Sequence, residues 1–495
     1  MKKTLVVAGV VALLTGPAAA QLESPLFSKV QPNIVNPGGK SLAMGGAFVS
    51  VADDATAAFA NPAGLTQLSS WQVGASGKTF IFEPSLSTQN YLSTSPTAPF
   101  TRDTLDVYRP KDQTYDLEFA SVVGPVTSNI SVALYRAVNL RFRLDSSDIR
   151  VTGQAERQEG YRAFFINSGG TDGISFDEQG GLDLRNEMYG GAVAARFGPL
   201  NVGGSVNVNK LRFDLLGDGT RNRHTFTVND VNRGIAQTSY PTIDADVTAS
   251  TSGSKVGWSV GIRYDLWEAS RVSIGAVYRK SPTFDIDYSV RATRALDNRV
   301  VADFACGRDD TVNQVSGSSA CGTFHVPDDF SIGISGNVFT QDLLIALEVQ
   351  RVRYSQLNDG FVPLFAYVVG GQRYVSSGES DDGTLYRAGA EYTFTLGTTI
   401  LNLRAGYYRE PAHGMKIQLY PDADRDRRPD PGSTAANLTS PPYTDAFATS
   451  FDGGKAENHI SFGVGVSIAR HLSIDVAFDT SPSSQQGVLS AFYRF

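Results

Sequence analysis

The sequence predicts an all-β transmembrane protein, a 14-stranded antiparallel outer-membrane β-barrel with an N-terminal hatch, or plug. Three observations predict it. The chain opens on an export signal; it continues as about ten-residue segments whose apolar residues recur at every second position; and the connections between those segments alternate between short and long.

Lys2 and Lys3 supply a positive start, Leu5 to Leu14 a short apolar stretch, and Ala18 to Ala20 a small-residue cleavage site. Residues 1–20 therefore read as a secretory signal. No later segment approaches the ~18 consecutive apolar residues of a spanning helix, so an exported chain of this kind either stays in water or crosses a membrane with strands. The 495 residues include 49 Gly, 28 Phe and 20 Tyr, a composition poor in long helix-building runs. A net charge of −7 argues against nucleic acid as a partner, because phosphate binding needs clustered Lys and Arg.

From residue 69 to 495 the alternation defines fourteen strands, at 69–83, 114–123, 128–144, 186–197, 200–215, 255–266, 271–290, 328–339, 342–353, 384–395, 398–410, 457–468, 471–481 and 486–495. Ile460, Phe462, Val464, Val466 and Ile468 interleave with Ser461, Gly463, Gly465 and Ser467, giving one greasy face and one small or polar face. Soluble sandwiches alternate as well, so the pattern alone does not decide. The connections do. They are short at Gly198-Pro199 and Leu396-Gly397-Thr398 and long at 84–113, 145–185, 216–254, 291–327, 354–383 and 411–456, as expected for periplasmic turns and extracellular loops. The last segment sets Leu489, Ala491, Tyr493 and Phe495 on one face and resembles the terminal signal read by barrel-assembly machinery.

Residues 21–68 do not alternate and contain Pro25, Pro32, Pro37 and Pro62, which interrupt ladder pairing. They are expected to fill the lumen, which fourteen strands leave too wide for wall side chains alone. Here the stretch Ser41-Leu-Ala-Met-Gly-Gly-Ala-Phe-Val-Ser-Val-Ala-Asp53-Asp54-Ala-Thr-Ala-Ala-Phe-Ala-Asn61-Pro62-Ala63-Gly64-Leu65 resembles the hatch motif of the outer-membrane long-chain fatty-acid and hydrocarbon transporters of the FadL/TodX type. Val326 to Ile334 with Leu347 to Ser355, and Leu403 to Tyr407 with Pro411 and Tyr420 to Arg425, are similar to further stretches of that family. Between about 84 and 325 no motif is recognised. The resemblance implies a fourteen-strand barrel with a hatch, capture of hydrophobic small molecules at the extracellular loops, a lumen pocket touching the hatch, and lateral exit through the wall without an energy source. Similar barrels with the same signature serve as partners of protein-secretion systems, so a secretion-partner or structural barrel is the alternative. A monomer surrounded by outer-membrane lipid and lipopolysaccharide is the expected state.

Several residues are candidates for function. Asn61, Pro62 and Ala63 either line the hatch passage or form a turn locking hatch to wall. Asp53 and Asp54 are expected to cap a hatch helix or to pair with lumen arginines. Leu26 and Phe27 close the mature N-terminus with apolar bulk, which in the family reaches the lumen pocket; a disordered chain end is the competing reading. Arg196, Arg263, Asp265, Glu348, Arg387, Glu391, Arg404, Asp475 and Asp479 fall on the lumen-facing register, where most are expected to pair across the lumen; a fatty-acid carboxylate would need one arginine left to grip it, and Arg404 or Arg387 is the candidate. In the third strand Ile130, Val132, Leu134, Val138, Leu140, Phe142 and Leu144 share a lipid-facing register with Arg136 among them. Arg136 either snorkels at the outer rim or marks a bulge that opens the wall sideways. Cys306 and Cys321 are expected to pair as a disulfide after export. Asp422, Asp424, Asp426 and Asp430 suggest Ca²⁺, but interspersed Arg425, Arg427 and Arg428 favour a salt-bridged loop. No metal or cofactor is expected. No enzyme is expected either: a nucleophile elbow is absent, and His224, His325, His413, His459 and His471 stand apart in the sequence.

Overall fold

In the computed structural model the described residues are 36–82, 112–145, 150–156, 171–230, 235–240, 243–251, 253–267, 272–294, 297–309, 321–358, 360, 366–369, 372–421, 423, 432–434, 455–469 and 471–495. The signal, Leu26 and Phe27, and the carboxylates of the 422–430 loop lie outside them.

Fourteen strands close into one antiparallel barrel: β1 (Gln72–Phe82), β2 (Asp112–Pro125), β3 (Ile130–Asp145), β4 (Thr171–Phe197), β5 (Leu200–Asp230), β6 (Lys255–Trp267), β7 (Val272–Lys280), β8 (Asp329–Asn337), β9 (Leu343–Val352), β10 (Gly383–Leu396), β11 (Thr399–Glu410), β12 (Glu457–Ile468), β13 (Leu472–Thr480) and β14 (Ser484–Arg494). Each strand pairs with its neighbours in sequence, and β14 closes on β1 through Tyr493 opposite Val73 and Gln485 opposite Ile81. Closure of β14 on β1 joins the two ends of the sheet, as strands that cross lipid require. The outer face is apolar on strand after strand, with Leu134, Val193, Val206, Ile262, Ile332, Leu347, Leu403, Phe462, Phe478 and Leu489 all exposed. So continuous an apolar exterior belongs against hydrocarbon. At the short-turn end Gly198 (φ 61°) and Gly397 (φ 63°) adopt the left-handed backbone that tight hairpins require.

The strands extend as the alternation foretells, with two corrections. Residues 271–290 are not one strand: β7 stops at Lys280, and Thr283–Arg294 leaves the wall to pair with Ile243–Thr251, Arg299–Ala305 and Cys321–His325 on the extracellular side. Pro282 sits at the break, where it has no N–H to give the ladder. β4 and β5 run well past the expected ends, to 27 and 31 residues. In the same extracellular sheet region Cys306 and Cys321 are joined by a disulfide.

Residues 36–68 fold inside the barrel as α1 (Gly39–Ala43), α2 (Ala57–Ala60) and a 3₁₀ turn (Pro62–Gln67). Met44, Ala47, Phe48, Val51, Ala52, Ala58 and Phe59 pack against Phe119, Ala133, Tyr135, Ala137, Met188 and Ala192 of the wall. Small residues on both sides let the two backbones approach. Above this segment the lumen is filled by a second apolar cluster, which includes Leu140, Phe142, Leu184, Phe213, Phe284 and Phe324.

Candidate functional site

The inner segment is fastened to the wall by polar groups aimed inward from the alternating face. Glu348 Oε2 accepts hydrogen bonds from the N–H groups of Phe48 and Val49, both at 2.9 Å. Arg263 donates to the Ser50 carbonyl at 2.9 Å and Arg196 to that of Thr66 at 2.6 Å. Arg279 donates to the carbonyls of Phe59 and Ala60 while pairing with Asp329. Lys40 Nζ lies 2.9 Å from Asp53 and 3.3 Å from Glu391. Asp54 accepts from the Thr56 backbone N–H at 2.8 Å, at the start of α2. Asp53 thus pairs with a lysine of its own segment, not with a lumen arginine.

Asn61 is fully buried and uses both ends of its amide. Nδ2 donates to the carbonyls of Val49 (2.8 Å) and Ile262 (3.1 Å), and Oδ1 accepts from Ala63 N (3.2 Å). Pro62 opens the 3₁₀ turn, seated on Gly203 of β5, where a Cβ has no room. These contacts tie the inner segment to the wall at Asn61, Pro62 and Ala63.

The two arginines singled out as carboxylate grips are engaged in the wall. Arg404 is buried, with Nε 2.6 Å from Glu391 and Nη1 2.5 Å from Asp475. Arg387 donates to the Gly45 carbonyl (3.2 Å) and to Gln350 (2.8 Å), and its guanidinium stacks over the Tyr408 ring. Gly45 and Gly46, at φ 62° and 74°, bring the segment's backbone against this arginine. A fork already matched to carboxylates and carbonyls has little left for a guest.

The wall is discontinuous between β2 and β3. β2 and β3 pair from Pro125 opposite Ser131 up to Phe119 opposite Ala137, and the ladder stops there. Beyond it β2 stays with β1, through a register shift at Ser76/Gly77, as far as Phe82 opposite Asp112. β3 stays with β4, through a shift between Val138 and Leu140, as far as Asp145 opposite Gly181. The bulge at Asn139 turns Leu140 and Phe142 inward into the upper apolar cluster, which corrects their expected lipid-facing register. Arg136 lies three residues before the bulge and keeps the outward register, so it is not swung into the lumen. Its Nη1 donates to the Leu117 carbonyl of β2, and Nη2 pairs with Glu187 at 3.0 Å. Arg141 reaches Asp116 of β2 at 3.1 Å as well as Asp183. Side chains therefore bridge the seam where backbone bonds end. A cavity of about 30 Å³, lined by Phe80, Thr114, Val138 and Asn139 among others, occupies the seam. Space of that size admits a few waters and no hydrocarbon.

Sequence reasoning missed the partners of Arg136, since Leu117 and Glu187 sit 19 and 51 positions away. It also missed that His413 and His459, far apart in the chain, both approach Glu410. His459 Nε2 lies 3.1 Å from Glu410 and Nδ1 2.9 Å from Asp479, and the two rings stack on Tyr354 and Tyr408. Among the described residues no cluster of His, Cys, Asp and Glu suits a metal.

No family model matches the chain, and no curated protein sequence matches it. Solved structures do. A Pseudomonas aeruginosa FadL homologue superposes with a TM-score of 0.54 at 12% identity, covering 94% of this chain and 99% of that one. The Ralstonia pickettii toluene transporter TbuX gives 0.50 at 15%, covering 94% and 99%. The likeness is of fold and spans nearly the whole of both chains.

Proposed function

We propose that this barrel, which shares its fold with the FadL homologue and the toluene transporter, is an outer-membrane channel for passive uptake of hydrophobic small molecules, with residues 21–68 as its hatch. The observation that carries the reading is the seam between β2 and β3, next to an apolar cluster that Leu140 and Phe142 extend to its edge. The hatch blocks the way down with buried polar contacts, so an apolar guest in the upper lumen has a lower-cost route sideways, into lipid, than through the hatch. Transfer from one apolar environment to another needs no coupled energy source. The cations at the seam are already engaged: Arg136 and Arg141 close it and Lys78 faces Glu118 at 3.6 Å, while Arg387 and Arg404 are held elsewhere in the wall. This favours neutral hydrocarbons over fatty acids.

The test is to close the seam covalently. Cysteines placed at Asp116 and Arg141 and joined by a bifunctional thiol reagent should abolish saturable uptake of a labelled alkylbenzene into proteoliposomes, while either single cysteine treated alike should not. Undiminished uptake by the crosslinked protein refutes lateral exit at this place. Absence of saturable uptake in the parent protein refutes the transport reading itself.

A further inference from the structure

The outer wall carries a feature that uptake does not explain. On the lipid-facing side of β3, β4, β5 and β6 lies an apolar groove of about 710 Å³, bordered by Leu134, Val193, Val206 and Trp258. Its floor is open at Gly191 and Gly204. A Cβ at Gly191 would meet nothing nearer than 3.7 Å and one at Gly204 nothing nearer than 3.5 Å, so packing does not demand glycine at either position. The missing side chains make a hollow where neighbouring outward positions present Val, Leu or Trp to the bilayer.

The border of this groove on the long-loop side is charged. The next outward residue after Leu134 on β3 is Arg136, followed past the bulge by Arg141; on β4 the outward series beyond Gly191 runs Tyr189, Glu187, Arg185; on β5, beyond Val206, it runs Val208, Lys210, Arg212. Asp116, Asp183 and Glu187 hold Arg136, Arg141 and Arg185 in one network across three strands. Lys210 instead stands over the Tyr189 ring, with no carboxylate in ion-pair range among the described residues. Arg212 pairs with Asp214 through Nε alone, and its side chain stays 72% exposed, with the Nη groups outside that pair. Two cations thus project outward where the apolar wall ends, above a hollow in that wall.

The geometry points to a binding site for a phosphorylated, multiply acylated lipid of the outer leaflet, the lipid A class, with an acyl chain in the Gly191/Gly204 groove and a phosphate on Lys210 and Arg212. The polarity is right for that leaflet alone. An outer-leaflet lipid holds its headgroup toward the extracellular side and its chains below, which is the order of cations and groove here. A lipid of the inner leaflet would meet the reverse, since the outward residues at the short-turn end, Phe197 and Leu200, are apolar. Basic side chains at a membrane surface attract anionic headgroups, and chain burial adds its own affinity.

Native mass spectrometry of the intact protein with a bis-phosphorylated, hexa-acylated lipid A and with its dephosphorylated form tests this. The parent protein should retain the phosphorylated lipid preferentially. Lys210→Gln with Arg212→Gln should lower that retention about tenfold while leaving binding of the dephosphorylated lipid unchanged. Gly191→Leu with Gly204→Leu, which fills the groove, should lower binding of both lipids about tenfold. If that variant fails to fold, the charge variant still decides. Equal retention of the two lipids by the parent protein, or undiminished retention by the charge variant, overturns the site. Loss of hydrocarbon uptake in the groove variant with lipid retention intact also overturns it, and assigns the groove to departing substrate. Uptake in the charge variant should remain at the parent level, so failure of this site and failure of the transport reading give different results.

Discussion

Replacing Arg136 with Leu separates the closing role of this residue from its contribution to the fold. Two interactions are lost. The Leu117 carbonyl, beyond the last backbone pair of β2 and β3, loses its donor, and an unmet carbonyl away from water costs about 1–3 kcal/mol. The ion pair with Glu187 also goes. Its side chains are 19% and 25% exposed, and Glu187 keeps Arg185 at 2.7 Å, so that loss is under about 1 kcal/mol. Against these stands the removal of a cation from a lipid-facing register, which costs about 2–4 kcal/mol at the bilayer midplane and about 0–1 kcal/mol near the interface. The opposing terms are of similar size, so the barrel's overall stability should change by no more than about 2 kcal/mol in either direction. The seam is different, because it loses one of the three arginines, Arg136, Arg141 and Arg185, that reach β2 across it and gains nothing in exchange. If about 1 kcal/mol of that falls on the opening equilibrium, opening rises about fivefold. Arg136→Leu is therefore expected to raise initial uptake of a labelled alkylbenzene about fivefold in proteoliposomes, with an unchanged barrel by circular dichroism and electrophoretic heat-modifiability. Arg136→Lys, which keeps the charge but not the fork, should fall between. Unchanged or reduced uptake by a folded Arg136→Leu protein refutes the view that this arginine holds the seam shut.

Asn61→Ala leaves the carbonyls of Val49 and Ile262 without their donor, costing about 3 kcal/mol where the inner segment meets the wall, and should appear as ion leakage in planar-bilayer recordings where the parent protein is silent. Cys306→Ser with Cys321→Ser removes a 15-residue closure whose chain-entropy estimate is about 3 kcal/mol; the effect should be faster protease cleavage of the extracellular sheet with the barrel's melting temperature unmoved. Burial, reinforced by neighbouring Asp53, raises the carboxyl of Asp54 from 3.8 to about 6. Because the folded protein binds this proton more tightly than the unfolded chain, Asp54 contributes stability that is full below pH 3.8 and is lost as pH rises through about 6. Asp54→Asn preserves the acceptor oxygen used by Thr56 and should flatten the denaturation midpoint between pH 4 and 6. A midpoint profile that keeps its slope in this variant assigns the pH dependence to another group.

Alternation and connection length determined the architecture on their own. A strand in a bilayer must present apolar side chains at every second position and pair all its backbone groups, so Ile460 to Ile468 or Leu472 to Phe478 can be placed on their outer face from the one-dimensional order. The same parity put Glu348, Arg387, Glu391, Arg404 and Asp475 inside. Breaks in parity were less visible. Pro282 is a written interruption, but the bulge at Asn139 leaves Val138, Leu140, Phe142 and Leu144 in an apparently unbroken series, because the residues that turn inward there are as apolar as those that face lipid. What each charge does was decided by the tertiary structure alone. Arg404 and Arg136 look alike in the sequence as isolated arginines on strands. Closure of the barrel brings Glu391 and Asp475 to the first and the Leu117 carbonyl and Glu187 to the second, across strands whose separation in sequence carries no record of contact. The outer groove has the same origin: Gly191 and Gly204 are two ordinary strand glycines until β4 and β5 set Gly191 opposite Val206 and Gly204 opposite Val193, diagonal neighbours on one face of the wall, each with room for a side chain that is not there.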